Sequence, residues 1–419
     1  MALKPMTFFQ FMQPSSSSYS SHCFNSTPFS LRPSNLKLSS SQFIPRAEME
    51  STSSSQIPPP LPEKRVVVGC GAASVDFLAT VASYPNPDDK IRSLSLKVEG
   101  GGNTGNALTG VSRLGLTARI ISKVANDTPG RGILKEFEAD GVDTSHMVVS
   151  EGISPFTYII VDNQTKTRTC IHTPGNPPMV PEELSQSSLF SALENANLVY
   201  FDGRLHDTAL VVAEEASQRK IPILIDCERK REGLDELLNL ATYVVCSEKF
   251  PRAWTSAPTL GSALVSMLIR LPNLKFVITT MGDKGSLMLE KSQNDASEIE
   301  ETDVETLLES LQERVDSTAT IPTCVSSKSD LRISADGIGG ISGRLLAGTA
   351  EKIPPPELID TTGAGDAFIA AVLYALCAEM PPEKMLPFAS QVAAAGCRAL
   401  GARSGLPWRK DPRLAPFWL

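Results

Sequence analysis

Four short apolar runs set the architecture of this chain: "NLVYFDG" (197–203), "IPILIDC" (221–227), "YVVCSE" (243–248) and "KFVITTMG" (275–282). Each ends in polar or turn residues, and helical segments such as "DTALVVAEEASQR" (207–219) separate them. A run of four to six apolar residues without alternation reads as a strand covered on both faces. Strand–helix alternation at this spacing predicts a mainly parallel sheet with helices on both sides, an α/β fold that binds ligands at the ends of its strands.

The flanking sequence extends the pattern. Val66–Val68 opens "RVVVGCGAASVDFLATV" as a buried strand, and small residues follow it. "ARIISKVAND" (118–127) is a further strand, and "GNALTGVSRLG" (105–115) and "GRGILKEFEADG" (130–141) are helices. "IRSLSLKVEGGG" (91–102) alternates like a half-exposed strand, and "PFTYIIVDNQTKTRTCIHT" reads as a hairpin turning at Asp162–Lys166. From about 292 to 350 the chain is acidic and then Ser/Gly-rich, which predicts a solvated insertion carrying one amphipathic helix through Val304, Leu307, Leu308, Leu311 and Val315. "GIGGISG" (337–343) has neither the spacing nor the strand–turn–helix frame of a dinucleotide loop.

The first residues differ. No Asp or Glu precedes Glu48, and serine is abundant, the composition of an organelle transit peptide of plastid type; a cytoplasmic protein with a disordered tail is the alternative. Residues 1–63 are therefore assigned to transit peptide and Pro-rich linker, and 64–419 to the folded domain. The formal charge of −8 without a basic block argues against nucleic-acid binding, and no apolar run is long enough to span a membrane. The eight cysteines contain no CxxC pair, so neither a disulfide framework nor a zinc site is indicated.

The stretch "IDTTGAGDAFIAA" (359–371) carries the chemistry. Gly363, Ala364 and Gly365 fall at the start of a strong helix former, where backbone N–H groups are free and the helix dipole favours an anion. Small side chains let a phosphoryl group approach that backbone. Asp366, in the first turn, can take the proton of an attacking hydroxyl. No GxxxxGK[ST] is present, so a P-loop is excluded.

"DTTGAGDAF" resembles the C-terminal signature of the ribokinase/PfkB family of carbohydrate kinases, and "GGNTGNALTGVSRLG" (101–115) is similar to its N-terminal signature. "TTMGDKGSLML" and "LGARSGLP" resemble the family's nucleotide turn and C-terminal loop, so the resemblance covers about 65–407. Within the family, "TKTRTCIH", "FDGR" and "ERKREGLDELL" resemble the ketohexokinase-like branch.

The resemblance implies a ribokinase-like three-layer α/β/α sandwich with a small β-sheet lid, formed from about 91–98 and 156–172. It implies ATP, Mg²⁺ and K⁺ as cofactors, a sugar substrate, and pairing of two copies through the lid. Asp76, in the loop after the first strand, with Gly102, Asn103, Asn106 and the lid residue Arg168, would bind the sugar. Asp366 would be the base and Gly363–Gly365 the anion hole. Thr280, Gly282 and Gly285 would bind ATP, and Asp360, Thr362 and the Gly401–Ser404 loop, with Ser404, a monovalent cation. The family's Asn-x-x-Glu is replaced here by "VCSEKF", which leaves Glu228 as a magnesium contact. A nucleoside kinase of the same fold, and a plastid regulatory protein without kinase activity, are the alternatives.

Overall fold

The computed structural model describes residues 58–292 and 301–418. The chain divides into two units, Met1–Ser54 and Ser55–Leu419. The first unit, which holds most of the expected transit segment, lies outside the described residues.

In the second unit the apolar runs form one large sheet. Its parallel part runs Asp143–Ser150, Thr117–Ala125, Val66–Cys70, Leu198–Phe201, Ile223–Cys227, Tyr243–Ser247 and Phe276–Thr280. Antiparallel strands Ser286–Lys291, Gly339–Gly348 and Leu331–Ala335 continue it. The runs read as unbroken apolar segments because successive residues pack on opposite faces. Val67, Leu224 and Ile278 join the core under helices Asn103–Arg113, Ala364–Cys377 and Pro382–Gly396. Val68, Ile225 and Val277 join the core under His206–Gln218 and Leu260–Arg270.

The segment expected as a solvated insertion is part of this second core. Helix Val304–Arg314 buries Val304, Leu307, Leu308 and Leu311, burial that favours folding by roughly 6–12 kcal/mol gross for four such side chains. Glu301–Asp303 and Cys324–Ser326 add short strands, and "GIGGISG" enters the strand Gly339–Gly348. Acidic and Ser/Gly-rich composition marks the exposed side of these elements, while their apolar side packs inward.

A second sheet, ordered Ser95–Gly101, Ser74–Val81, Phe156–Asp162 and Arg168–Thr173, makes the lid. The hairpin falls where the sequence puts it. Ser74–Val81 corrects the expectation of a loop there: Asp76 sits within a strand, opposite Glu99 and Thr157. The small residues 69–73 end one strand and the next begins at once in the other sheet.

Candidate active site

A cavity of about 320 Å³ lies between the inner face of the lid and the C-terminal ends of the parallel strands. It is lined by Asp76, Gly102, Asn103, Asn106 and Arg168 together with Thr280, Thr362, Gly363, Gly365 and Asp366. Residues far apart in sequence thus share one chamber.

Asp76 is 4% exposed. Burial pushes its carboxyl up to about 6, against the pull of the Arg403 guanidinium. A Cβ on Gly101 would overlap that carboxylate. Gly102 caps the following helix at φ 86°, where a Cβ would meet the Ala72 carbonyl oxygen at 2.5 Å, so glycine is required. Asn103 Nδ2 reaches Asp226 Oδ2 at 3.5 Å, and Asn106 Nδ2 donates to Asp366 Oδ2 at 2.8 Å.

The helix Ala364–Cys377 begins as expected, with Gly363 as its cap at φ 74°. Among the described residues the N–H groups of Gly363, Gly365 and Asp366 have no hydrogen-bond acceptor, so three unpaired donors lie at one helix end. Ala364 departs from the expectation: its N–H donates to the Thr361 carbonyl at 3.3 Å and it does not line the cavity. Asp366 is 8% exposed, and burial pushes its carboxyl up to about 7; Asp202 and Glu228 act in the same direction, while the Asn106 bond and Arg168 oppose them. Arg168 Nη1 donates to Thr361 Oγ1 at 2.9 Å, bridging the small sheet and the turn before the helix.

The nucleotide and cation residues assemble less completely. Thr280 lines the cavity, but Gly282 and Gly285 do not. They shape the tight turn 282–285, where a Cβ on Gly285 would strike the Gly348 carbonyl oxygen. Asp360 is 1% exposed; its Oδ1 accepts Thr362 N and Oγ1 at 3.0 and 2.8 Å, and its Oδ2 accepts Gly401 N at 2.9 Å. Ser404 instead donates to Glu99 Oε2 at 2.8 Å and accepts from the Lys97 ammonium. Asp360 and Thr362 therefore bond to each other, while the Ser404 hydroxyl is taken up by Glu99 and Lys97.

Glu228 lines the cavity, 2.9 Å from Arg231 and 3.7 Å from Arg204. Asp226, beside it, is held well above the usual carboxylate range by burial and by Asp366, Glu228 and Asp202. No cluster of three or more His, Cys, Asp or Glu among the described residues could hold a metal by itself. A magnesium ion arriving on nucleotide phosphates needs only one or two carboxylates, and Asp226 and Glu228 fit that requirement.

Three residues of the candidate site carried no role of their own from sequence. Asp202 Oδ2 accepts Ala72 N and Thr104 N at 2.8 and 3.2 Å, pinning two turns of the site. Asp226 lines the cavity at the end of its strand. Arg403, 3% exposed, donates to Asn106 Oδ1 and Gly101 O. The two aspartates had a usable signal: a lone acid at the C-terminal end of an apolar strand.

The description "pfkB family carbohydrate kinase" matches residues 64–306 and 346–409; the gap between the two falls in the 292–350 segment. Mouse (Mus musculus) ketohexokinase is 24% identical over 348 residues, covering 81% of this chain and 98% of its own length. Mouse ribokinase is 22% identical over 365 residues, covering 85% and 96%. Among solved structures, Arabidopsis thaliana ribokinase complexed with ribose and ATP superposes with a TM-score of 0.60 at 18% identity, covering 84% of this chain and 98% of its own. A ribokinase-type structure from Agrobacterium tumefaciens gives 0.61 at 23% identity, covering 83% and 95%.

Proposed function

This chain belongs to the pfkB family of carbohydrate kinases, ATP-using phosphotransferases acting on a sugar hydroxyl, and on that premise we propose that it phosphorylates the hydroxymethyl group of a fructose-like ketose or of a pentose. The observation that carries the reading is the Asn106–Asp366 hydrogen bond, 2.8 Å long. It joins the acceptor-binding turn to the helix whose free N–H groups face the same cavity.

In this reading Asp76 accepts hydrogen bonds from two sugar hydroxyls, and Asn103 and Asn106 orient the ring. The acceptor hydroxyl lies against the free oxygen of Asp366 and gives up its proton as it attacks phosphorus. The N–H groups of Gly363, Gly365 and Asp366 hold the moving phosphoryl group, and Arg168 offsets its charge from the lid side. Mg²⁺, bound with ATP, would neutralise phosphate charge near Asp226 and Glu228. The lid excludes water, which limits ATP hydrolysis.

A specific feature favours a second reading. A side chamber of about 260 Å³, lined by Ile153, Pro155, Met179 and Leu205 among others, shares Ala72, His172 and Arg204 with the main cavity. A nucleoside could place its base there. One acceptor panel separates the two, with ADP release measured for the full chain with ATP and Mg²⁺. Fructose or ribose turnover at least tenfold above adenosine, inosine and pseudouridine is expected. Nucleoside turnover with inert sugars would replace the first reading by the second.

We also propose that two copies pair through the lid. Val98, Tyr158 and Ile171 lie in one row across the sheet with Phe77 and are 54%, 52% and 52% exposed. An apolar row of this kind on a sheet surface is a candidate interface. Light scattering should give twice the chain mass, and Val98→Asp should give the monomer. A monomeric parent chain refutes the pairing.

A further inference from the structure

We infer that Arg403 is a positioning residue of this active site: its guanidinium fixes the amide of Asn106 in the one orientation that aims the amino group at Asp366. The inference rests on the reading of Asp366 as the base.

A primary amide can sit either way round, and its orientation is set by its neighbours. Asn106 has two. Its Oδ1 accepts from Arg403 Nε at 3.1 Å, and its Nδ2 donates to Asp366 Oδ2 at 2.8 Å. Arginine only donates and an ionised carboxylate only accepts. A flipped amide would set N–H against N–H and oxygen against carboxylate, so the pair of contacts leaves one orientation.

The guanidinium is itself held from three directions. Nη2 donates to the Gly101 carbonyl at 2.9 Å, Nη1 lies 3.6 Å from the Glu136 carboxylate, and the Phe137 ring centroid lies 4.5 Å from its central carbon. Two glycines make the room. A Cβ on Gly105 would lie 2.5 Å from Nη2, and one on Gly100 would overlap Nη1. The glycine-rich "EGGGNTGN" therefore serves a buried arginine as well as a turn. Arg403 is also the cation that opposes burial at Asp76, so one side chain from the C-terminal loop acts on both carboxylates of the site.

A double-mutant cycle tests this in the full chain. Arg403→Met and Asn106→Ala should each lower kcat roughly thirtyfold, and the double variant should fall no further in kcat, because both changes break one relay, while the Arg403 effect on Asp76 is read separately in the sugar KM. The ATP KM should stay within threefold, and Arg403→Lys, which keeps charge but not the fork, should recover only part of the loss. Should Arg403→Met fail to fold, Arg403→Lys runs the same cycle. Multiplying effects, near a thousandfold in the double variant, would overturn the inference, as would an unchanged kcat in a folded Arg403 variant. Asp366→Asn, assayed alongside, separates the two ideas: an active Asp366→Asn sinks the base assignment, whereas additivity beside an inert Asp366→Asn sinks only the relay.

Discussion

Asp366→Asn should lower kcat about 10³-fold while ATP and sugar still bind, because it removes the proton acceptor and leaves the shape of the site. The substituted amide can still contact Asn106, and the loss of one negative charge beside Asp202 and Glu228 does not weaken nucleotide binding. The parent enzyme supplies the matching pH signature. As the proposed base Asp366 works in its ionised form, and burial raises its pKa to about 7. The kcat/KM of the parent should therefore fall about tenfold per unit below pH 7, and more steeply below about 6, where Asp76 also protonates. Stability should move the other way. A carboxyl whose folded pKa is raised opposes folding in full above that pKa, and the opposition eases as pH falls from the folded pKa towards the unfolded value of 3.8. At pH 8 the Asn variant should therefore melt no lower than the parent. A variant keeping more than a tenth of parental kcat would remove Asp366 from the proton transfer.

The sequence exposed the parts of this molecule whose physics is local. Val66–Val68 and Phe276–Thr280 are buried on both faces, so they read as strands from their apolar runs alone. The helix start at Gly363 was legible because small residues before an apolar helix have few other uses. What could not be read depended on partners brought from elsewhere. The resemblance groups Asp360 with Ser404, yet in the fold Asp360 accepts from Thr362 and Gly401 while Ser404 donates to Glu99. Arg403 gave no signal because nothing local says a loop arginine will be 3% exposed; its cradle comes from residues 100–105 and 136–137. Ala364 shows the same limit, since which N–H faces the cavity is set by the curl of the turn.

The two glycines of the proposed anion hole should respond oppositely to substitution, and the contrast tests the proposal. Gly363 has φ 74°, and a Cβ there would lie 2.5 Å from the Ala402 Cβ. Gly363→Ala is therefore expected to destabilise the fold, by about 1–2 kcal/mol for a non-glycine residue in the left-handed region and more for the clash. Gly365 is different. It lies inside the helix, and a Cβ there meets nothing within 4 Å. Replacing a helical glycine with alanine favours folding, by at most about 0.5–1 kcal/mol at a first-turn position such as this. That empty space is the cavity wall beside the free N–H groups, where the phosphoryl group must come close. Gly365→Ala should thus melt at or above the parent temperature, and the bulkier Gly365→Val should remain folded while losing about a hundredfold in kcat, the scale of removing one donor from an oxyanion site. The loss should appear in phosphoryl transfer with the acceptor affinity little changed, since Asp76 and Asn103 lie outside the new contact. A Gly365→Val enzyme with parental kcat would show that the phosphoryl group does not pass over this helix end, and the hole would have to be sought elsewhere on the cavity wall.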